Sequence, residues 1–487
     1  MPKTKICLLL PAVLLCAAFA QDPSNRLIGE ALKSSPLETN LRRLTDEIGG
    51  RVPGAPAMQK AVDWGVQALK AAGADSVHTE KFTIPASWAE DATQMSVVAP
   101  EQFKVRAVSV AWAPALTAQR NVPVIDVGEG TAEEIAKAGN VAGAILLVHS
   151  EEMRKWDDLF DEYLKAPPII ARAVQAKALA IAFQSTRPYD LLYRHTNAIA
   201  GEIDRLPMVM VAREDAARMA RLLASGQKLY ADLSIPNHIG GPITAENVVA
   251  ELRGSEKPDE FVVLGAHLDS WELGTGALDN GCNAALVIDA VRAIKASGLR
   301  PRRSIRFILF SGEEEGMMGS HAYVLAHRND LDKAAGVVVF DAGIGRTTGF
   351  SLGGRKDVVS AATNLAAPLK QFDAATLTTD AEWGTDNFDF MLEGVPTLVA
   401  NQEEANYLIN YHAMSDTFDK VDLPQLKKHV AEAVAITFAI ANASNRLGPR
   451  LNHVQIEQTL RETHLDEQLK TFGIWQQWEG GKRGRTE

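Results

Sequence analysis

Five side chains of metal-binding type stand at the ends of apolar runs in this chain: His267, Asp279, Glu314, Asp341 and His412. Two imidazoles and three carboxylates suit Zn²⁺, which takes histidine nitrogen and carboxylate oxygen at about 2.0–2.2 Å. Five ligands are more than a single three-ligand site uses. If one carboxylate bridges, they divide into two sites of three that share a water. Two metals roughly 3.5–4 Å apart stabilise both the attacking and the leaving group of a displacement. Asp279 is the natural bridge, because Asp279-Asn280-Gly281 reads as a tight turn directly before a helix. Asp269 follows His267 by two residues and falls on the same side of an extended segment. Its carboxylate is placed to accept the His267 ring N–H and fix the tautomer.

In Ser311-Gly312-Glu313-Glu314-Glu315-Gly316 three adjacent carboxylates repel one another unless something positive neutralises them. Such positions divide the labour if one binds metal while its neighbour acts as general base on the water. A solvated acidic loop is the ordinary reading of an acidic run. Here the run follows an apolar strand, in register with the other ligands, and the metal reading is favoured. Cys282 reads as a small buried residue at a helix start. His321 reads as a surface or supporting residue, and His149, His195 and His238 have no ligand-like neighbours.

Alternating strands and helices must hold these residues. Strands are expected at 247–252, 261–265, 304–310, 336–340 and 397–400, with helices at 283–296, 320–327, 356–369 and 423–443. This pattern predicts an α/β fold, a mostly parallel mixed sheet with helices on both faces. Upstream, residues 24–48 and 55–72 read as helices, and 77–84, 95–98 and 105–112 as strands. Near Pro114 the texture changes. Residues 115–238 carry short strands and helices without a ligand cluster, and read as a non-catalytic insertion, a lid or docking domain. The expected catalytic domain is therefore discontinuous, 21–114 and 239–450. Residues 453–470 read as a solvated amphipathic helix and 478–487 as a disordered tail.

Lys3 and Lys5, the apolar run 6–19 and Ala18-Phe19-Ala20 form a secretion signal with cleavage after Ala20. Leu15, before Cys16, is large where a lipoprotein signal takes a small residue. The expected localisation is secreted or periplasmic. No other run is long and apolar enough to span a bilayer. Cys282 alone of the three cysteines lies outside the leader, so no intramolecular disulfide is available to the mature chain. The net charge of −11 argues against nucleic acid or an anionic membrane as partner.

GAHLDSW, ALDNG, SGEEEGMMGS, FDAG and YHAMSDT, in that order, resemble the dizinc exopeptidases of the aminopeptidase Y type, nearest their carboxypeptidase Q-like branch. NVVAE at 247–251 and GRVPG at 50–54 are similar as well, and 115–238 resembles a protease-associated domain. The resemblance implies a zinc exopeptidase of short peptides with two Zn²⁺ per chain. It assigns His267 and Asp341 to one zinc, Glu314 and His412 to the other, and Asp279 to both. It makes Glu313 the general base, matches Asp269 to the family's supporting catalytic Asp behind the metal-binding His267, and implies a cis peptide at Asp279–Asn280. It places Asp386 near the substrate cleft. Tyr411, beside His412, is a further candidate for a substrate hydrogen bond, with packing as the alternative. Relatives of this branch carry Asp-Asp-Gly-Gly where this chain has Asp279-Asn280-Gly281-Cys282. The resemblance also implies that the insertion closes the cleft or mediates a homodimer. A glutaminyl cyclase-like zinc acyltransferase and a non-catalytic binding protein on the same scaffold are the alternatives. The Glu313-Glu314 pair and the insertion favour a peptidase, and the full ligand set weighs against a binding protein. The direction of attack, from the amino or the carboxyl end, is left open.

Overall fold

The strand Lys257–His267 runs through the middle of the molecule, and every residue from Phe261 to His267 is buried. An unbroken apolar run has no wet face to offer, so it takes the centre of a sheet covered on both sides. The computed structural model describes residues 23–197 and 199–487; the expected leader at 1–20 lies outside them.

Eight strands form the main sheet, in the order Ser76–Ile84, Ile243–Leu252, Arg303–Phe310, Lys257–His267, Ala334–Val339, Thr397–Gln402, Thr347–Ser351 and Thr376–Thr378. The middle four, Arg303–Phe310 to Thr397–Gln402, are parallel, and antiparallel pairs extend the sheet on either side. Alternation along Lys257–His267 sends Leu264 to one face and Val263 to the other. Leu264 packs with helices Cys282–Ser297 and Leu423–Asn442. Val263 packs with Tyr323, Val324 and Phe390, from helices Met318–Ala326 and Asn387–Leu392. The structure thus has the expected α/β architecture. Its parallel strands end on one rim, where His267 pairs in register with Phe310 and Gly265 with Val339. Loops leaving such a rim are where open α/β sheets build their sites.

A second eight-stranded sheet runs in the order Phe103–Val105, Gln94–Ala99, Leu229–Ile235, Leu116–Asp126, Ile145–Val148, Ala180–Gln184, Met208–Val211 and Ala107–Ser109. The strands expected at 95–98 and 105–112 therefore join this sheet and not the main one. The change of texture at Pro114 marks its parallel part; its antiparallel edges draw on chain from before that point.

The closing residues differ from expectation too. Helices His453–Glu462, Leu465–Thr471 and Ile474–Glu479 bury Leu460, Leu469, Trp475 and Trp478 against Met317, Trp383 and Phe388. Residues 480–487 are ordered against them: the Arg485 N–H donates to the Leu392 carbonyl at 2.9 Å, and the His453 N–H to that of Glu487 at 2.9 Å. The polar composition of this segment reads as solvated because its charged residues have distant partners. Arg483 is only 3% exposed and pairs with Asp389.

Candidate metal centre

The five predicted ligands meet at the rim as two groups sharing one residue. His267, Asp279 and Asp341 form the first, and Asp279, Glu314 and His412 the second; within each group the donor atoms lie within 4.8 Å of one another. His267 Nε2 is 3.2 Å from Asp279 Oδ1 and 3.1 Å from Asp341 Oδ1. His412 Nε2 is 3.2 Å from Asp279 Oδ2 and 2.8 Å from Glu314 Oε2. Asp279 thus offers one oxygen to each group. The peptide Asp279–Asn280 is cis, as the resemblance implies.

Each element delivers its ligand for a local reason. His267 ends its strand. Its Nδ1–H donates to the backbone carbonyl of Asp269 at 3.1 Å, which fixes the tautomer and leaves Nε2 facing the carboxylates. The Asp269 carboxylate, expected in that role, is 3.7 Å from the ring; its Oδ2 instead accepts the Glu314 backbone N–H at 3.2 Å, tying the glutamate loop to the first strand. Asp279 stands just before helix Cys282–Ser297. Asn280 spans two ligand loops, donating to the Phe340 carbonyl at 3.2 Å and accepting from Asn283 at 2.6 Å. That contact places Asp341 beside Asp279. Cys282 is buried at the helix start, where its thiol donates to the Leu278 and Gly343 carbonyls, and it belongs to neither donor group.

Two further residues organise these loops. Arg51, buried in the GRVPG turn, donates to the carbonyls of Leu268 (2.6 Å), Gly49 (2.9 Å), Thr275 (2.8 Å) and Gly276 (2.9 Å). Burial lowers its pKa to about 10, so it stays charged at neutral pH among the carboxylates. Asp416 accepts three backbone N–H groups, those of Ala277, Leu278 and Asp279, at 3.1, 2.7 and 3.1 Å. Both residues lie within motifs, Arg51 in GRVPG and Asp416 in YHAMSDT, without a role that their type alone announces. The signal for Asp416 is its place four residues after His412.

The second sheet reaches the site as well. The Arg194 carbonyl accepts His412 Nδ1–H at 3.0 Å, and the Arg194 N–H returns a bond to the His412 carbonyl at 2.9 Å. The cleft above the ligands, about 400 Å³, is walled by Trp156, Leu159, Phe160 and Tyr163 of helix Trp156–Gln175. The segment 115–238, expected as a non-catalytic lid or docking domain, thus supplies one wall of the cleft and a backbone support for His412. Tyr411 lines the same cleft, its ring stacked on His412 and its hydroxyl 3.0 Å from that of Tyr163. Glu313 also faces the cleft. Asp386 does not line it. It is fully buried at the start of helix Asn387–Leu392, and neither of its oxygens has a hydrogen-bond partner. His321 bonds Asp389, while His149 and His238 pair with Asp126 and Asp91. His195 is buried against Tyr163.

The electrostatics call for cations. Asp279 Oδ2 and Glu314 Oε1 are buried without hydrogen-bond partners, a costly state for a charged oxygen. Burial opposes charge on both histidines, but the carboxylates win: Asp341, Asp269 and Asp279 hold His267 well above the usual range, and Glu314 and Asp279 raise His412 to about 9. Burial, then repulsion from Asp341, Glu314 and Asp386, pushes Glu313 well up despite His267. Protons thus occupy the places that divalent cations fit. Neutral imidazole and carboxylate oxygen are donors that zinc accepts.

Peptidase family M28 matches residues 247–437. Carboxypeptidase Q of Mus musculus is 26% identical over 414 residues, covering 83% of this chain and 85% of that protein. The Homo sapiens carboxypeptidase Q is 24% identical over 409 residues, covering 84% and 85%. Among solved structures, a peptidase M28 precursor from Shewanella amazonensis superposes with a TM-score of 0.79 at 26% identity, over 88% of this chain and 98% of its own. A zinc aminopeptidase from Bacillus subtilis shares the fold, with a TM-score of 0.64 at 20% identity over 82% and 93%. Fold, site and relatives together define a zinc-dependent exopeptidase. It is the segment 247–437, which carries all five of the predicted ligands, that matches the M28 family.

Metal binding must displace the histidine protons. An ordinary histidine, with a pKa near 6.5, is already neutral at pH 7.5, whereas His412 at about 9 is not. Zinc titrated into the metal-free protein at pH 7.5 is expected to release at least two protons per chain, one from each histidine, with the raised Glu313 adding to them. Its affinity should rise with pH from about 6.5 towards 9, as His412 loses its proton. Calorimetry in two buffers of different ionisation enthalpy checks this; binding without proton release counts against the protonated pair.

Proposed function

We propose that the chain is a secreted exopeptidase that hydrolyses dipeptides or short peptides at a centre of two zinc ions. The observation that carries this reading is the sharing of Asp279 between two three-residue donor groups beside a cleft-facing glutamate. His267 and Asp341 would hold one ion, Glu314 and His412 the other, and Asp279 both. When bound, zinc supplies Lewis-acid polarisation of the scissile carbonyl and of the attacking water. Glu313 takes the proton of that water and returns it to the leaving amine. Its high pKa among unneutralised carboxylates falls as cations offset their charge, which leaves it ionised as a base. Asp269 holds the loop that carries Glu313 and Glu314. Tyr411 is placed to donate to a substrate oxygen, and the aromatic wall of helix Trp156–Gln175 keeps water from the bound peptide.

The cleft bears on direction. Asp380 and Glu382 line it, and no Lys or Arg does so among the described residues. A free α-ammonium group finds carboxylate partners there, away from the metal ligands, and a free carboxylate finds no Lys or Arg. We therefore read the enzyme as selecting a free amino end, with a dipeptidase as the simplest form. The second sheet is read as a protease-associated-like insertion, and the leader at 1–20 as the means of secretion.

Glu313→Gln is expected to lower kcat by about 10²–10⁴-fold with bound zinc unchanged. Near-normal turnover removes Glu313 from the mechanism. Among blocked dipeptides, the N-acetyl form should resist cleavage while the C-terminal amide is cut. Product analysis showing the reverse preference contradicts the assigned direction.

A further inference from the structure

The loop that carries Glu313 and Glu314 closes as a turn, with the Gly316 and Met317 N–H groups both donating to the Glu313 carbonyl at 2.8 Å. The outer side of this turn is held by residues distant in sequence. Gly316 has φ +105°, and a Cβ there would stand 1.9 Å from the Ile199 carbonyl oxygen, so the turn is seated directly on the second-sheet segment. Its own carbonyl oxygen accepts Arg483 Nη2–H at 3.2 Å. The same guanidinium pairs with both oxygens of Asp389, at 2.8 and 2.9 Å, and its Cζ stands 5.3 Å from the centre of the Phe388 ring. Asp389 lies on helix Asn387–Leu392, three residues after Asp386 and just beyond Trp383 to Thr385 of the cleft wall. It also accepts from His321 Nδ1 at 3.2 Å and Ser320 Oγ at 3.4 Å. Arg483 is 3% exposed and Asp389 1%. One guanidinium therefore joins the glutamate turn to helix Asn387–Leu392, which directly follows the cleft-lining residues Trp383 to Thr385.

We propose that Arg483 is a positioning residue for Glu313, fixing the Glu313–Gly316 turn against the Asp389 helix. It lies outside the 247–437 segment that the family match covers. Its docking explains why residues 480–487 fold back onto the catalytic domain. A planar guanidinium reaches a carboxylate and a carbonyl at once, and a lysine ammonium on the same stem does not. A turn released by even about 1 Å loses alignment of its base with the attacked bond, an effect worth up to about 10²-fold in rate. The catalytic part of this inference rests on the peptidase reading; the positional part does not.

The test uses full-length wild type, Arg483→Ala and Arg483→Lys, with kcat and KM on one dipeptide, bound zinc per chain, and amide hydrogen exchange across residues 312–318. Arg483→Ala is expected to lower kcat by about 10–100-fold with KM within about twofold and zinc unchanged. Exchange at Gly316 to Met318 should quicken while helix Leu423–Asn442 keeps its protection. Arg483→Lys should recover part of kcat. An alanine variant with wild-type kcat and exchange overturns the proposal, as does a loss of rate that tracks loss of zinc. If the alanine variant does not fold, Arg483→Lys decides, and full activity there overturns it. A wild type that cleaves no peptide refutes the peptidase reading instead, and the exchange comparison then settles the positional claim alone.

Discussion

Repulsion among carboxylates is the constraint on which this structure turns. Asp269, Asp279, Glu313, Glu314, Glu315, Asp341, Asp386 and Asp416 crowd one rim of the main sheet, with His267, His412 and Arg51 as the nearby positive or protonatable groups. Two like charges 4 Å apart repel by about 4 kcal/mol at the effective dielectric of a protein site. Burial adds a desolvation cost for each charged oxygen. In the absence of metal, protons move in: the histidines are held charged, Glu314 rises to about 7 and Glu313 well above its usual range. Two divalent cations held by Asp279 and its neighbours, as proposed, would satisfy the same constraint and leave the histidines neutral.

The rest of the fold keeps these groups from moving apart. Arg51 gathers the carbonyls of the loop between His267 and Asp279, and Asp416 gathers the N–H groups at its far end. Asn280 ties that loop to the Asp341 loop, and Arg194 ties His412 to the second sheet. Each bond joins a ligand-bearing segment to another element, so the site depends on both sheets and on the closing helices. A sheet built only for stability would not need them. The parallel strands already have a core on each face.

Much of this was legible in the sequence. Apolar runs such as 261–265 and 304–310 mark buried strands, and the ligand types at their ends mark the rim, because both signals are local. Asp279 as the shared carboxylate follows from its turn before a helix. The support of His267 is only half legible: residue 269 carries it, but through its carbonyl, and side-chain type says nothing about a backbone acceptor. Arg483 reads as part of a polar tail because its partner Asp389 is 94 residues away. The wall formed by Trp156 and Tyr163 is hidden for the same reason. Its residues look like the apolar stripe of any helix, and only the packing of two distant segments turns that stripe towards the ligands.

The central claim is that one buried aspartate serves two metal positions. It is tested most directly by titrating metal-free protein with zinc and counting equivalents bound per chain, beside Asp279→Asn and His412→Ala. The account predicts two equivalents in the wild type, one in His412→Ala, and weakened binding of both in Asp279→Asn. A wild type that saturates at one equivalent, or an Asp279→Asn variant that loses a single site and keeps the other at full affinity, would contradict it.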